Sequence, residues 1–255
     1  MKKIISAALI FTILIFSITV VSYAASEEYS WFCRRCGNKQ PPISVEERLI
    51  SEHGGVCIDR RVSDSDSEKV LYLTFDVGYE NGNVEKILDT LKTESVSAAF
   101  FVLDNIILRN TDLVTRMADE GHLVCNHTKN HKNISSYTAS QIEKNLTDLE
   151  KIYEQKTGRQ MAKYFRFPEG RYSITALDSV KALGYKTVFW SFAYEDWDNC
   201  KQMSDERAIN KILGNTHNGA IILLHPTSET NARILPTLIK EWRAMGYTFS
   251  TLDSL

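Results

Sequence analysis

The chain has 255 residues, with 30 basic against 32 acidic side chains and a hydrophobic share of 43%. That is enough for one large domain with a real core, and the near-neutral balance, without a basic cluster, excludes a nucleic-acid-binding surface. After residue 24 no stretch is apolar enough to cross a membrane.

Lys2 and Lys3 open a basic start, residues 4–21 are almost wholly apolar, and Ser22 and Ala24 are small residues spaced for cleavage. Residues 1–24 read as a secretory signal peptide cut after Ala24. Retained, the same segment would serve as a membrane anchor. Either way the working part is expected outside the cytoplasm.

Residues 25–69 read as a short, polar, irregular extension. It holds Pro41, Pro42, Gly54, Gly55 and the solvated run Ser63–Glu68. A short helix is expected over 44–53, with Ser44 as N-cap and Glu47 completing a capping box. The cysteines are Cys33, Cys36, Cys57, Cys125 and Cys200. Export permits disulfides, so a local bond between Cys33 and Cys36, or one from this pair to Cys57, is expected, with Cys125 a buried thiol.

From residue 70 to 255 the pattern becomes regular. Short apolar runs predict strands over 70–75, 97–103, 122–126, 163–166, 186–191, 219–224 and 247–250. Amphipathic stretches predict helices over 83–94, 110–120, 138–157, 173–183, 204–215 and 230–245. Gly121, Gly158, Gly184 and Gly246 each stand where a helix should close. Such alternation implies an α/β fold on a parallel sheet, open or closed into a barrel.

The chemistry falls at strand ends: Asp76, His127, Arg166, Asp196 and His225. In a barrel the strand C-termini share one rim, so residues far apart in sequence converge there. His127 and His131 are four apart, and one helical turn after the strand would let both imidazoles share a divalent ion. Acid, histidine pair and late histidine together point to metal-assisted hydrolysis. His53, His122 and His217 match no motif and read as structural.

These motifs resemble those of the polysaccharide deacetylases, carbohydrate esterase family 4. The family's Thr-Phe-Asp-Asp stands as Thr74, Phe75, Asp76 and Val77, and its His-x-x-x-His as His127 and His131. Arg-Pro-Pro-x-Gly becomes Arg166, Phe167, Pro168, Glu169 and Gly170. Asp-Trp is kept as Asp196 and Trp197, and Leu-x-His as Leu223 to His225. Further stretches, 76–82, 188–191 and 223–232, are similar to the sporulation members that act on N-acetylmuramic acid.

The resemblance implies a distorted (β/α) barrel of about seven parallel strands, and removal of acetyl groups from muramic residues of peptidoglycan. It makes Asp76 the general base, Arg166 its ion-pair partner, and His225 the general acid with Asp196 behind it. Trp197, Glu169 and Arg171 would bind substrate. Arg171 is close enough in sequence to meet the muramic carboxylate. His127 and His131 would hold a divalent metal, with Zn favoured by imidazole ligands over Mn, Co or Mg. The implied partner is the peptidoglycan glycan strand, stripped of peptide; no protein partner is evident. Val77 departs from the pattern, since it stands where the family places a second aspartate, a metal ligand. The competing readings are deacetylation of another N-acetylated glycan and a non-catalytic wall-binding protein.

Overall fold

The computed structural model describes residues 27–255. The leader expected over 1–24 lies outside them. In chain order the elements are β1 (Tyr29–Ser30), α1 (Val45–Glu52), β2 (Gly55–Val56), β3 (Lys69–Val77), α2 (Val84–Thr93), β4 (Ala99–Val102), α3 (Asp104–Arg109) and α4 (Thr111–Asp119). Then come β5 (Leu123–Asn126), α5 (Ala139–Thr157), β6 (Ala162–Phe165), β7 (Arg171–Tyr172), α6 (Ile174–Ala182), β8 (Lys186–Val188), α7 (Asp205–Leu213), β9 (Ala220–Leu224), α8 (Glu229–Ala244) and β10 (Tyr247–Phe249).

β3 organises the sheet. Its register is parallel with β4 over Thr74–Val77, with β9 over Leu71–Phe75, and with β10 over Lys69–Leu71. Beyond β4 the order runs β5, β6, β8 and β2, eight strands in all. The seven strands read from the sequence are all there. The eighth, β2, comes from the extension expected to be irregular.

Between β8 and β9 the ring is closed by irregular chain. Phe192 bridges Ile222, and Ile58 bridges Ala220. The Asp59 amide donates to the Gly219 carbonyl at 2.9 Å. Gly219 has φ +72°, and a Cβ there would meet the Asp59 carbonyl oxygen at 2.4 Å. Only glycine lets the two lips of this seam approach so closely.

Strand alternation sorts the core into two layers. On β3, Leu71, Leu73, Phe75 and Val77 face outward into a cluster with helices α2, α4 and α8, including Ile87, Val114, Leu235 and Trp242. Tyr72 lies in a separate cluster with Phe101, Cys125, Val188 and Ile221, the barrel interior. Asp76 shares the parity of Tyr72, which aims it at the mouth of the barrel.

The predicted helices form within a residue or two of their expected bounds. Gly121, Gly158, Gly184 and Gly246 all adopt left-handed φ after their helices. α5 opens on a capping box, Thr138 with Gln141. At α1 the box is incomplete. The Ser44 side chain accepts from the Glu47 amide at 3.0 Å, but the Glu47 carboxylate takes both ends of Arg60 at 2.7 Å instead. A charged, two-point partner outweighs a single bond to the cap backbone. The expected disulfide is not formed either: Cys33, Cys36 and Cys57 are free thiols, and Cys125 is a buried one. Among the described residues no helix is long and apolar enough to cross a membrane.

Candidate active site

The strand ends open into a cleft of about 700 Å³, lined by Asp76, His127, His131, Glu169, Trp190, Trp197 and His225, among others.

Asp76, one residue before the end of β3, faces Arg166, the first residue past β6. The guanidinium is wholly buried. Nη1 donates to Asp76 Oδ1 at 2.8 Å and Nη2 to Thr74 Oγ1 at 2.9 Å. Nε donates to the Val188 carbonyl at 3.0 Å, and the group lies 4.1 Å from the centroid of the Phe101 ring. Its donors are satisfied and its face is covered, so the charge is fixed in place. Burial works against the Asp76 carboxylate, but the positive charge of Arg166 above all outweighs it and holds its pKa below the usual value.

His127 follows β5. Its Nδ1 lies 2.8 Å from the Arg166 carbonyl oxygen, an acceptor only, so Nδ1 carries the proton. Nε2 is left with a lone pair. It is buried with no hydrogen-bond partner, 3.5 Å from Asp76 Oδ2. Burial pushes the His127 pKa down to about 4, so the ring is neutral. The His131 ring stands edge-on to it, with centroids 4.9 Å apart.

The segment between them is not the helical turn expected. Thr128 and His131 both have positive φ, 70° and 57°. The Asn126 carboxamide accepts from the Thr128 amide, and Asn145 on α5 accepts from the Lys129 amide. These side chains offer the backbone partners that a helix would otherwise supply. The imidazoles still converge, by a tight turn rather than by helical periodicity.

Across the cleft His225 follows β9. Its Nδ1 is 2.7 Å from Asp196 Oδ1, and its amide donates to Asp196 Oδ2 at 2.8 Å. Asn231 at the start of α8 donates to the same Oδ2 at 2.6 Å, and its own carbonyl accepts from Tyr194. Burial opposes charge on this ring, yet the Asp196 carboxylate prevails and raises its pKa above the ordinary imidazole value. Trp197 stands 5.9 Å from the His225 ring, edge to face, and is 56% exposed.

Glu169 borders the cleft in a left-handed turn, φ 58°. Phe167, where the family pattern has proline, is fully buried against Phe165, Phe189 and Tyr172. Arg171 is not among the residues lining the cleft. Its guanidinium pairs with Glu28 and lies 3.6 Å from Glu169. The sequence reading also passed over Tyr79, Ala193 and Thr227, which line the cleft. Asn81 and Asn83 both donate to the Thr227 carbonyl, which fixes the loop bearing Tyr79.

The donor set has a clear shape. Val77 borders the cleft but is buried in the outer core, and no cluster of three His, Cys, Asp or Glu able to hold a metal exists among the described residues. The unpartnered Nε2 of His127 beside His131 and Asp76 nevertheless suits a divalent cation, because a buried lone pair needs an acceptor-seeking partner.

Residues 63–188 match the polysaccharide deacetylase family. The chain is 37% identical over 232 residues to the peptidoglycan N-acetylmuramic acid deacetylase PdaA of Bacillus subtilis, covering 90% of this chain and 86% of that protein. This chain belongs to the polysaccharide deacetylase family, carbohydrate esterase family 4. The solved structure of that Bacillus subtilis protein superposes with a TM-score of 0.84 over 90% of this chain and 97% of its own. A family 4 carbohydrate esterase from Bacillus anthracis, 34% identical, gives 0.72 over 90% and 96%. A peptidoglycan N-acetylglucosamine deacetylase of Bacillus cereus is 30% identical over 74% of this chain and 89% of its own length. Members of the family are generally metal-dependent.

Proposed function

We propose that this protein hydrolyses the N-acetyl group of N-acetylmuramic acid in peptide-stripped peptidoglycan, releasing acetate and the free amine. The observation that carries the chemistry is the pair of histidines on either side of one carboxylate, one backed by a backbone carbonyl and the other by a carboxylate. The muramic substrate is supported by the 37% identity to the Bacillus subtilis enzyme across nine-tenths of this chain.

Asp76, kept ionised by Arg166, takes a proton from the attacking water. The water oxygen bonds to the acetyl carbon, and the C–N bond then breaks. His225 gives its Nε2 proton to the departing nitrogen, while Asp196 holds Nδ1 and stabilises the charged ring. His127 and His131 would hold a divalent cation, which when bound supplies a Lewis acid for the acetyl oxygen and the water. Zinc is the metal we favour, since imidazole donors select it over magnesium. Trp197 offers an apolar face to the sugar and confines His225. Export by the apolar leader over residues 4–21, and a place before muramic-δ-lactam formation in the spore cortex, belong to the same proposal.

The test is acetate release from peptide-stripped glycan by the purified protein, with and without added Zn, Mn or Mg, beside Asp76→Asn. Release that needs both metal and Asp76 is expected. Release from N-acetylglucosamine oligomers alone would move the substrate; glycan binding without release under any metal would leave a wall-binding protein.

A further inference from the structure

One wall of the cleft is built from chain that has left the sheet. β6 ends at Phe165 and β8 at Val188, so Glu169, Trp190 and Ala193 stand on irregular segments. Their backbone must find partners elsewhere. The residues that supply them come from the opposite end of the chain. The Trp31 amide donates to the Gly170 carbonyl at 2.9 Å, and Trp31 Nε1 donates to the Trp190 carbonyl at 2.9 Å. Arg35 Nη2 donates to the Ala193 carbonyl at 2.9 Å, with its guanidinium 5.6 Å from the Phe192 centroid. β1 pairs antiparallel with β7, Tyr29 against Tyr172 and Ser30 against Arg171. Gly170 is wedged between the Trp190 ring and the Trp31 carbonyl, where a Cβ would come within 2.9 Å of the indole.

We propose that residues 28–35 are a positioning belt of the active site, in which Trp31 and Arg35 hold the Glu169–Trp190–Ala193 wall and thereby set the grip on the glycan. The belt lies outside the family match, which begins at residue 63. It bonds to neither dyad: Asp76 is held by Arg166, and His225 by Asp196 and Asn231, and the Trp190 ring meets the Arg166 guanidinium only at 5.8 Å. Its effect therefore falls on binding rather than on proton transfer. This rests on the glycan deacetylase reading above.

The experiment compares the full chain with Trp31→Phe, Arg35→Ala and Arg35→Lys. Phenylalanine keeps a ring against Phe189 and removes only the indole donor; lysine keeps a donor for Ala193. The readouts are the dissociation constant for peptide-stripped glycan by titration calorimetry, and kcat and KM for acetate release. Trp31→Phe and Arg35→Ala should each raise Kd and KM by roughly three- to tenfold with kcat within about twofold, and Arg35→Lys should recover most of the loss. Unchanged Kd and KM in both variants, or a fall in kcat with KM held, would overturn the proposal. Wild-type protein that binds glycan without releasing acetate would sink the deacetylase reading instead, and the belt would still be judged on Kd.

Discussion

The two histidines that face each other across the cleft differ in one respect that decides their chemistry. His127 gives its Nδ1 proton to a backbone carbonyl, in a wall that excludes water, and stays neutral. His225 gives its Nδ1 proton to a carboxylate, at a partly open rim, and holds charge more readily than a free imidazole. The same side chain thus becomes a lone-pair donor on one side and a proton donor on the other. What sets the role is the atom behind the ring, one step removed from the reacting group.

That contrast can be broken most severely at its centre. Asp76→Asn should lower kcat by about 10³-fold or more, because the base is lost while Arg166 keeps its other bonds. Acetate release under saturating glycan measures it. Removing the partner instead, Arg166→Ala, leaves a buried carboxylate uncompensated, and should cost roughly 3–5 kcal/mol in urea unfolding as well as activity.

The sides can next be separated by pH. Asp76 must be ionised and its pKa is depressed, so activity should persist well into acid. His225 must be protonated and its pKa is raised, so activity should fall only as pH climbs through that raised value. Asp196→Asn should move this alkaline limb down toward about 6.5 and leave the acid limb in place. Stability follows the same signs. The Asp76 contribution is present above about pH 4 and lost as pH falls through the folded pKa. That of His225 is full below about 6.5 and lost as pH rises through its folded pKa. The smallest expected effect is on His131, whose replacement by Ala should lower bound zinc per chain, read by metal analysis after dialysis, with little change in unfolding temperature.

Much of this was legible in the sequence. The short apolar run over 70–75 predicted the strand, and the strand-end positions of Asp76, His127, Arg166 and His225 predicted their meeting on one rim; which way Asp76 faces came only with the fold. What stayed hidden was set by contacts distant in sequence. β2 is two residues beside a double glycine, and it reads as a loop until β8 supplies its partner. α3 is too short to display a period, although Ile106 and Ile107 are fully buried. The turn from His127 to His131 depends on carboxamides from Asn126 and Asn145, which no local pattern announces. Arg171 lay near enough in sequence to suggest substrate contact; its pairing with Glu28, just before β1, is a contact no local pattern announces.

The seam at Gly219 bears on how the molecule comes together in time. Its lips are residues 55–59 on one side and residues 187–192 with 219–223 on the other. A fragment that stops short of β9 can pair β2 with β8 but lacks the 219–223 edge that completes the seam. Joining segments so far apart along the chain carries a large closure entropy, and contacts of that span form slowly. Docking of this strip should be a late step of folding, together with the pairing of β9 and β10 to β3, so a chain caught before it would show an ordered β3–β6 half with an open flank. Amide hydrogen exchange during refolding should find residues 55–59 protected later than β3–β6.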